Sequence, residues 1–95
     1  MRFAFLIMGD DFNVEADRAS IHDGDAQIVG VANLKEAKEE ARRLQREGVD
    51  CIELCGAFKE DGAREVIEAT GNELPVGYIV HFPEQDEVYR AAFSK

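Results

Sequence analysis

Residues 26–55, AQIVGVANLKEAKEEARRLQREGVDCIELC, decide the fold, because they read as strand, helix, strand. Ala26 to Val31 is a short, nearly continuous apolar run rich in β-branched residues, the pattern of a strand covered on both faces. Asn33 is a good N-cap, and Glu36 three positions on completes a capping-box-like pair. Leu34, Ala37, Ala41 and Leu44 then follow at helical spacing as one apolar stripe. Glu39 and Arg43 form an i,i+4 pair on the wet side. Arg42, Arg43 and Arg46 complement the C-terminal dipole, and Gly48 ends the helix as a left-handed cap. Val49 to Cys55 is the returning strand, closed by Gly56.

Outward from this unit the alternation continues. Upstream, Phe3 to Met8 is continuously apolar and stops at Gly9. Downstream, Glu60 to Thr70 is a second helix, with Ala63, Val66, Ile67 and Thr70 inward and Gly71 as its cap. Pro75 to Phe82 is a fourth strand. Pro83 fits the first turn of a last helix, whose inward residues are Val88, Tyr89, Ala92 and Phe93. Strands alternating with helices indicate a parallel sheet built from right-handed crossovers. The expected fold is a single α/β domain over residues 1–95, with about four mostly parallel strands and three helices. A flavodoxin-like open sheet with helices on both faces fits, as does half of a (β/α) barrel with helices on one face. The connection from Asp10 to Asp25 reads two ways. It holds a short helix around Val14 to Ala19 and keeps the first strand parallel, or it is irregular and leaves that strand free to pair antiparallel. Either architecture leaves edges or an apolar face in need of cover, so self-association is expected.

Ninety-five residues suffice for one small domain. With 11 Lys+Arg against 20 Asp+Glu the formal net charge is -9, which argues against nucleic acid and against an anionic membrane surface. The longest apolar stretches are too short to span a bilayer, and no signal-peptide pattern follows Arg2, so a cytosolic location is expected. Cys51 and Cys55 on one strand would share a face roughly 13 Å apart, at about 3.3 Å per residue. A disulfide needs Cα atoms within about 7 Å, so reduced thiols are expected.

In parallel α/β sheets, ligands bind beyond the carboxyl ends of the strands. Those ends carry Asp10, Glu53, Cys55 and His81. Glu53 sits between Ile52 and Leu54, where an unpartnered carboxylate is costly. It is either a ligand-binding group or general base, or a strand-end Glu reaching water or an Arg. His81 shares a face with Gly77, whose missing side chain leaves room for close approach. It reads as an acid/base imidazole or as a His satisfied by backbone. Cys55 reads as a small buried hydrophobe or an exposed nucleophile, and Cys51 as core. The acidic Asp10–Asp25 loop, with Arg18 and His22, is either a solvated segment or a lid that adds ligand contacts. His22, His81 and Glu53 would form a two-His, one-carboxylate metal set only if that loop folded back over the sheet. The expectation is therefore no metal and no cofactor. Glycine-rich phosphate loops, the nucleophile elbow and C-x-x-C are all absent. Acid/base chemistry on, or binding of, a carbonyl or carboxylate metabolite is the expected function, with a non-catalytic oligomeric domain as the alternative.

Four stretches carry a resemblance: Ala4-Phe-Leu-Ile-Met-Gly9, Gly48-Val-Asp-Cys-Ile-Glu-Leu-Cys-Gly56, Gly71-Asn-Glu-Leu-Pro-Val-Gly77 and His81-Phe-Pro-Glu-Gln-Asp86. Together they resemble a family of short microbial proteins known only as a domain of unknown function. The resemblance covers nearly the whole chain and implies a common fold. It implies no activity and no catalytic residues.

Overall fold

The computed structural model describes residues 1–95. Five strands, β1 (Phe3–Met8), β2 (Arg18–Ile21), β3 (Ala26–Val31), β4 (Cys51–Leu54) and β5 (Val76–Tyr78), form one sheet in the order β2-β3-β1-β4-β5. Pairs β3/β1, β1/β4 and β4/β5 are parallel and β2/β3 is antiparallel. The helices are α1 (Leu34–Arg46), α2 (Lys59–Ala69) and α3 (Asp86–Phe93).

The strand–helix–strand unit forms as its sequence dictates. The Asn33 side chain accepts from the Glu36 amide at 2.9 Å, and the Glu36 carboxylate reaches back to the Ala32 amide at 2.9 Å. Ala37, Ala41 and Leu44 are buried against Ala4, Leu6, Val29, Val31, Ile52 and Leu54. Val66 and Ala63 of α2 enter the same core. Gly48 and Gly71 take positive φ after the two helices.

Both helices cover one face, for a topological reason. The β3→α1→β4 and β4→α2→β5 crossovers run in the same direction across the sheet. Right-handed connections therefore put α1 and α2 on the same side. The β1→β3 connection runs the opposite way, and a helix there would have covered the other face. Instead it forms the edge strand β2, which folds back on β3. The other face, built from Phe3, Phe5, Ile28 and their neighbours, stays open, with Phe5 42% exposed.

The Asp10–Asp25 segment thus has no helix around Val14 to Ala19: turns over residues 10–17 lead into β2 and a short 3-10 turn at His22–Gly24, and β1 stays parallel to both its neighbours. Asn13 organises its first part: its side-chain oxygen accepts from Glu15 and Ala16, and its amide donates to Asp17. Phe12 lies over Gly30, where a β-carbon would come within 2.7 Å of its ring. The tight turn from β2 to β3 uses positive φ at His22, Asp23 and Gly24.

Four further expectations are corrected. Strand β5 is short, so residues 79–82 leave the sheet. Helix α3 buries no residue; Val88 and Phe93 face solvent and only Tyr89 is half-buried. Cys51 lies half-buried on the open face rather than in the core, because Ile52 and Leu54 claim the inner positions of β4. Arg43 pairs with Glu40 and Glu47 instead of Glu39. Glu40, on the inner side of α1, is a buried carboxylate that the apolar stripe did not reveal. Burial opposes its ionisation. Hydrogen bonds from Arg43 and Arg18, the latter at 2.9 Å, outweigh that and hold its pKa below the ordinary glutamate value.

Candidate functional site

Strands β1 and β4 are neighbours whose chains depart in opposite directions, β1 toward β3 and β4 toward β5. That is the switch point at which open α/β sheets form a crevice. A groove of about 1070 Å³ lies there. Its floor is Ile7 and Met8 of β1 with Cys55 after β4, and its far wall is residues 78–81 and α3. The backbone holds this geometry: the Cys55 amide donates to Leu6 O and the Ile79 amide to Leu54 O, each at 3.0 Å. The Cys55 sulfur accepts from the Met8 amide at 3.4 Å and so ties two strand ends together.

Five ionisable side chains line the groove in addition to Tyr and Cys: Lys59, Glu60, His81, Asp86 and Arg90. Both acids are already engaged. Glu60 accepts from Arg64 at 2.8 Å, and Asp86 accepts from His81 Nε2 at 2.8 Å. Both strong cations, Lys59 and Arg90, have no acidic partner, in a chain of net charge -9. Lys59 is unusual in two ways. It opens α2, where a cation opposes the helix dipole, and its backbone holds φ 58, ψ -178, a region almost confined to glycine.

His81 is fixed from two sides. Its ring stacks on Tyr89, with centroids 3.8 Å apart and planes 11° from parallel. An ionised Asp86 can only accept, so the neutral ring donates from Nε2 and keeps Nδ1 as an open acceptor. An imidazole held by a carboxylate with its other nitrogen free is the arrangement of a general base.

The remaining sequence candidates lie elsewhere. Glu53 is on the open sheet face, where its Oε1 accepts from the Cys51 thiol at 3.2 Å; it does not line the groove and makes no hydrogen bond with His81. Burial, and then this carboxylate, push the Cys51 pKa up. Asp10 is exposed in the turn after β1, also outside the groove. Arg18 is on β2, its guanidinium spent on Glu40 and Val14 O. His22 occupies the β2–β3 turn, at the amino ends of the parallel strands and thus on the rim opposite His81. The His22, His81, Glu53 metal set is therefore excluded by topology, and no group of three or more His, Cys, Asp or Glu is arranged to hold a metal. The segment holding Asp10, Arg18 and His22 contributes nothing to the groove and is no lid over it.

Sequence reasoning missed Lys59, Asp86, Tyr89 and Arg90. A partial signal existed: Asp86 and Arg90 are an i,i+4 pair, and Asp86, Tyr89, Arg90 and Phe93 fall on one side of a helix.

A family model described as a family of unknown function (DUF6506) matches residues 1–94. No curated protein and no solved structure matches the chain.

Proposed function

Since the chain belongs to this family of unknown function, its activity must be read from its own residues, and we propose that it binds an anionic small molecule in the groove between the strand ends and α3 and performs acid/base chemistry on it. The observation that carries this reading is the division of charge: every acid lining the groove is paired, and both strong cations are not. A carboxylate with an apolar body suits such a site, its charge toward Lys59 and Arg90 and its body on Ile7, Met8 and Ile79. The strain at Lys59 supports the same reading, since residues held in sparsely populated conformations cluster at ligand sites.

The chemistry follows from His81. Nδ1 takes a proton from carbon next to a carbonyl, Asp86 steadies the imidazolium that forms, and Lys59 or Arg90 meets the charge that develops on the carbonyl oxygen. Returning the proton to the neighbouring atom completes an isomerisation with no outside oxidant or reductant. Tyr89 keeps the ring in place throughout.

A thermal-shift screen of 2-oxo acids and aromatic carboxylates tests this. Hits on wild type that disappear in Lys59→Met and Arg90→Met, and persist in Lys38→Met, support the groove. Hits unaffected by both groove substitutions contradict it. With any ligand so found, exchange of the proton next to the carbonyl in deuterated water should stop in His81→Asn while binding persists. Binding without exchange in wild type would make the protein a carrier rather than an enzyme.

A further inference from the structure

Two surfaces of this chain lack partners, and both expose large apolar side chains. The first is the open sheet face. On it lie Ala19 and Ile21 of β2, Ile28 of β3, Phe3 and Phe5 of β1, and Cys51 and Glu53 of β4. Glu53 is its single ionised group, one strand in from the β5 edge. The second is the arm formed by residues 79–93, which ends in α3. It carries Ile79, Val80, Phe82, Val88 and Phe93, all more than half exposed. The sheet lacks the second helical layer of a doubly wound fold, and α3 is a helix with no sheet to lie on.

Area points to the occupant. A monomer of 10.6 kDa ordinarily exposes about 5,500 Å². This chain exposes 6456 Å², an excess of about 1,000 Å². A stable protein interface takes about 800 Å² from each partner, so the excess matches one such interface. The net charge of -9 lies largely off the open face, whose strand residues carry Glu53 alone; the arm brings Glu84, Asp86 and Glu87 with Arg90, so it docks through its apolar residues.

We infer that a second copy of this chain covers the open face: the arm of each protomer lies across the sheet of the other. One two-fold axis then satisfies both surfaces at once, since in an isologous contact the patch that gives on one copy receives on the other. A chain that supplies both halves of the contact needs no other partner. Glu53, near the β5 edge, falls at the rim of the covered patch and keeps its hydrogen bond from Cys51. The arm is also the far wall of the ligand groove, but Phe5 and Phe82, on which the contact is tested, lie outside that groove.

Sedimentation and light scattering test it with two variants. Wild type should have twice the mass of the 10.6 kDa chain at micromolar concentration. Phe5→Lys removes the centre of the sheet face; the new lysine meets Glu53 across the β1/β4 register, which preserves the fold. Phe82→Lys alters the arm at an exposed position outside the groove. Each variant alone should be monomeric with an unchanged circular dichroism spectrum; if Phe5→Lys does not fold, Ile28→Lys takes its place. Mixing the two should restore a dimer, because the intact arm of one then meets the intact sheet of the other. A wild type that remains at 10.6 kDa overturns the inference. So does a dimer that survives Phe82→Lys, or a mixture that stays monomeric.

Discussion

A β-carbon placed on Gly77 would lie 2.9 Å from Oε2 of Glu53. The two residues are register partners on β5 and β4, and the missing side chain of one houses the carboxylate of the other. Glu53 in turn accepts from Cys51. Gly77→Ala should push this flexible carboxylate aside at a cost of about 1 kcal/mol or less. The Cys51 thiol then loses its acceptor and titrates at lower pH. The return is partial, because burial, the larger cause of its elevation, persists. In a Cys55→Ser, Phe82→Lys background, where the open face is left uncovered, the pH profile of alkylation reads this directly. A profile identical to that of the parent would show that Glu53 does not act on the thiol.

Glu40 should make stability pH-dependent in one direction. Its folded pKa lies below the unfolded value, so its contribution is present above the unfolded value and is lost as pH falls through the folded one. Glu40→Gln should cost about 1–3 kcal/mol at neutral pH, since Arg18 and Arg43 lose a charged partner but remain partly solvated. Urea unfolding at neutral pH and in mild acid should show the gap between wild type and variant narrowing in acid. A gap that widens there contradicts the assignment.

Lys59 sets stability against binding. Lys59→Gly relieves the strained backbone and removes a cation from a helix N-terminus, while raising the entropy of the unfolded chain. The net expectation is a gain of about 1 kcal/mol. Carboxylate binding should weaken at the same time. Denaturant midpoints and binding isotherms on one preparation test both halves; a less stable glycine variant would remove the strain argument.

The parallel core was legible in the sequence because it is local. Capping at Asn33, the Ala37–Ala41–Leu44 stripe and the glycines at positions 48 and 71 each act within a few residues. Edge strand β2 was not legible, since Arg-Ala-Ser-Ile has little strand signal of its own and pairs only because β3 offers a free edge. The fate of α3 was hidden for a related reason. Its apolar residues have the spacing of a docked helix, but the sheet face left for it belongs to no crossover of this chain. His81 was read as a site residue and lines the groove. Glu53 was read with it, yet strand alternation sends its side chain to the open face. The partners that define His81, namely Asp86 and Tyr89, come from a helix whose placement no local pattern fixes.

The most direct test of the groove is a map of backbone amide shifts while a carboxylate identified in the thermal-shift screen is titrated into the protein. The expected result is saturable change centred on Lys59, His81 and Arg90, absent in a Lys59→Met, Arg90→Met double variant. Changes confined to the α1–α2 surface or to the β2–β3 turn, with those three amides unmoved, would contradict it.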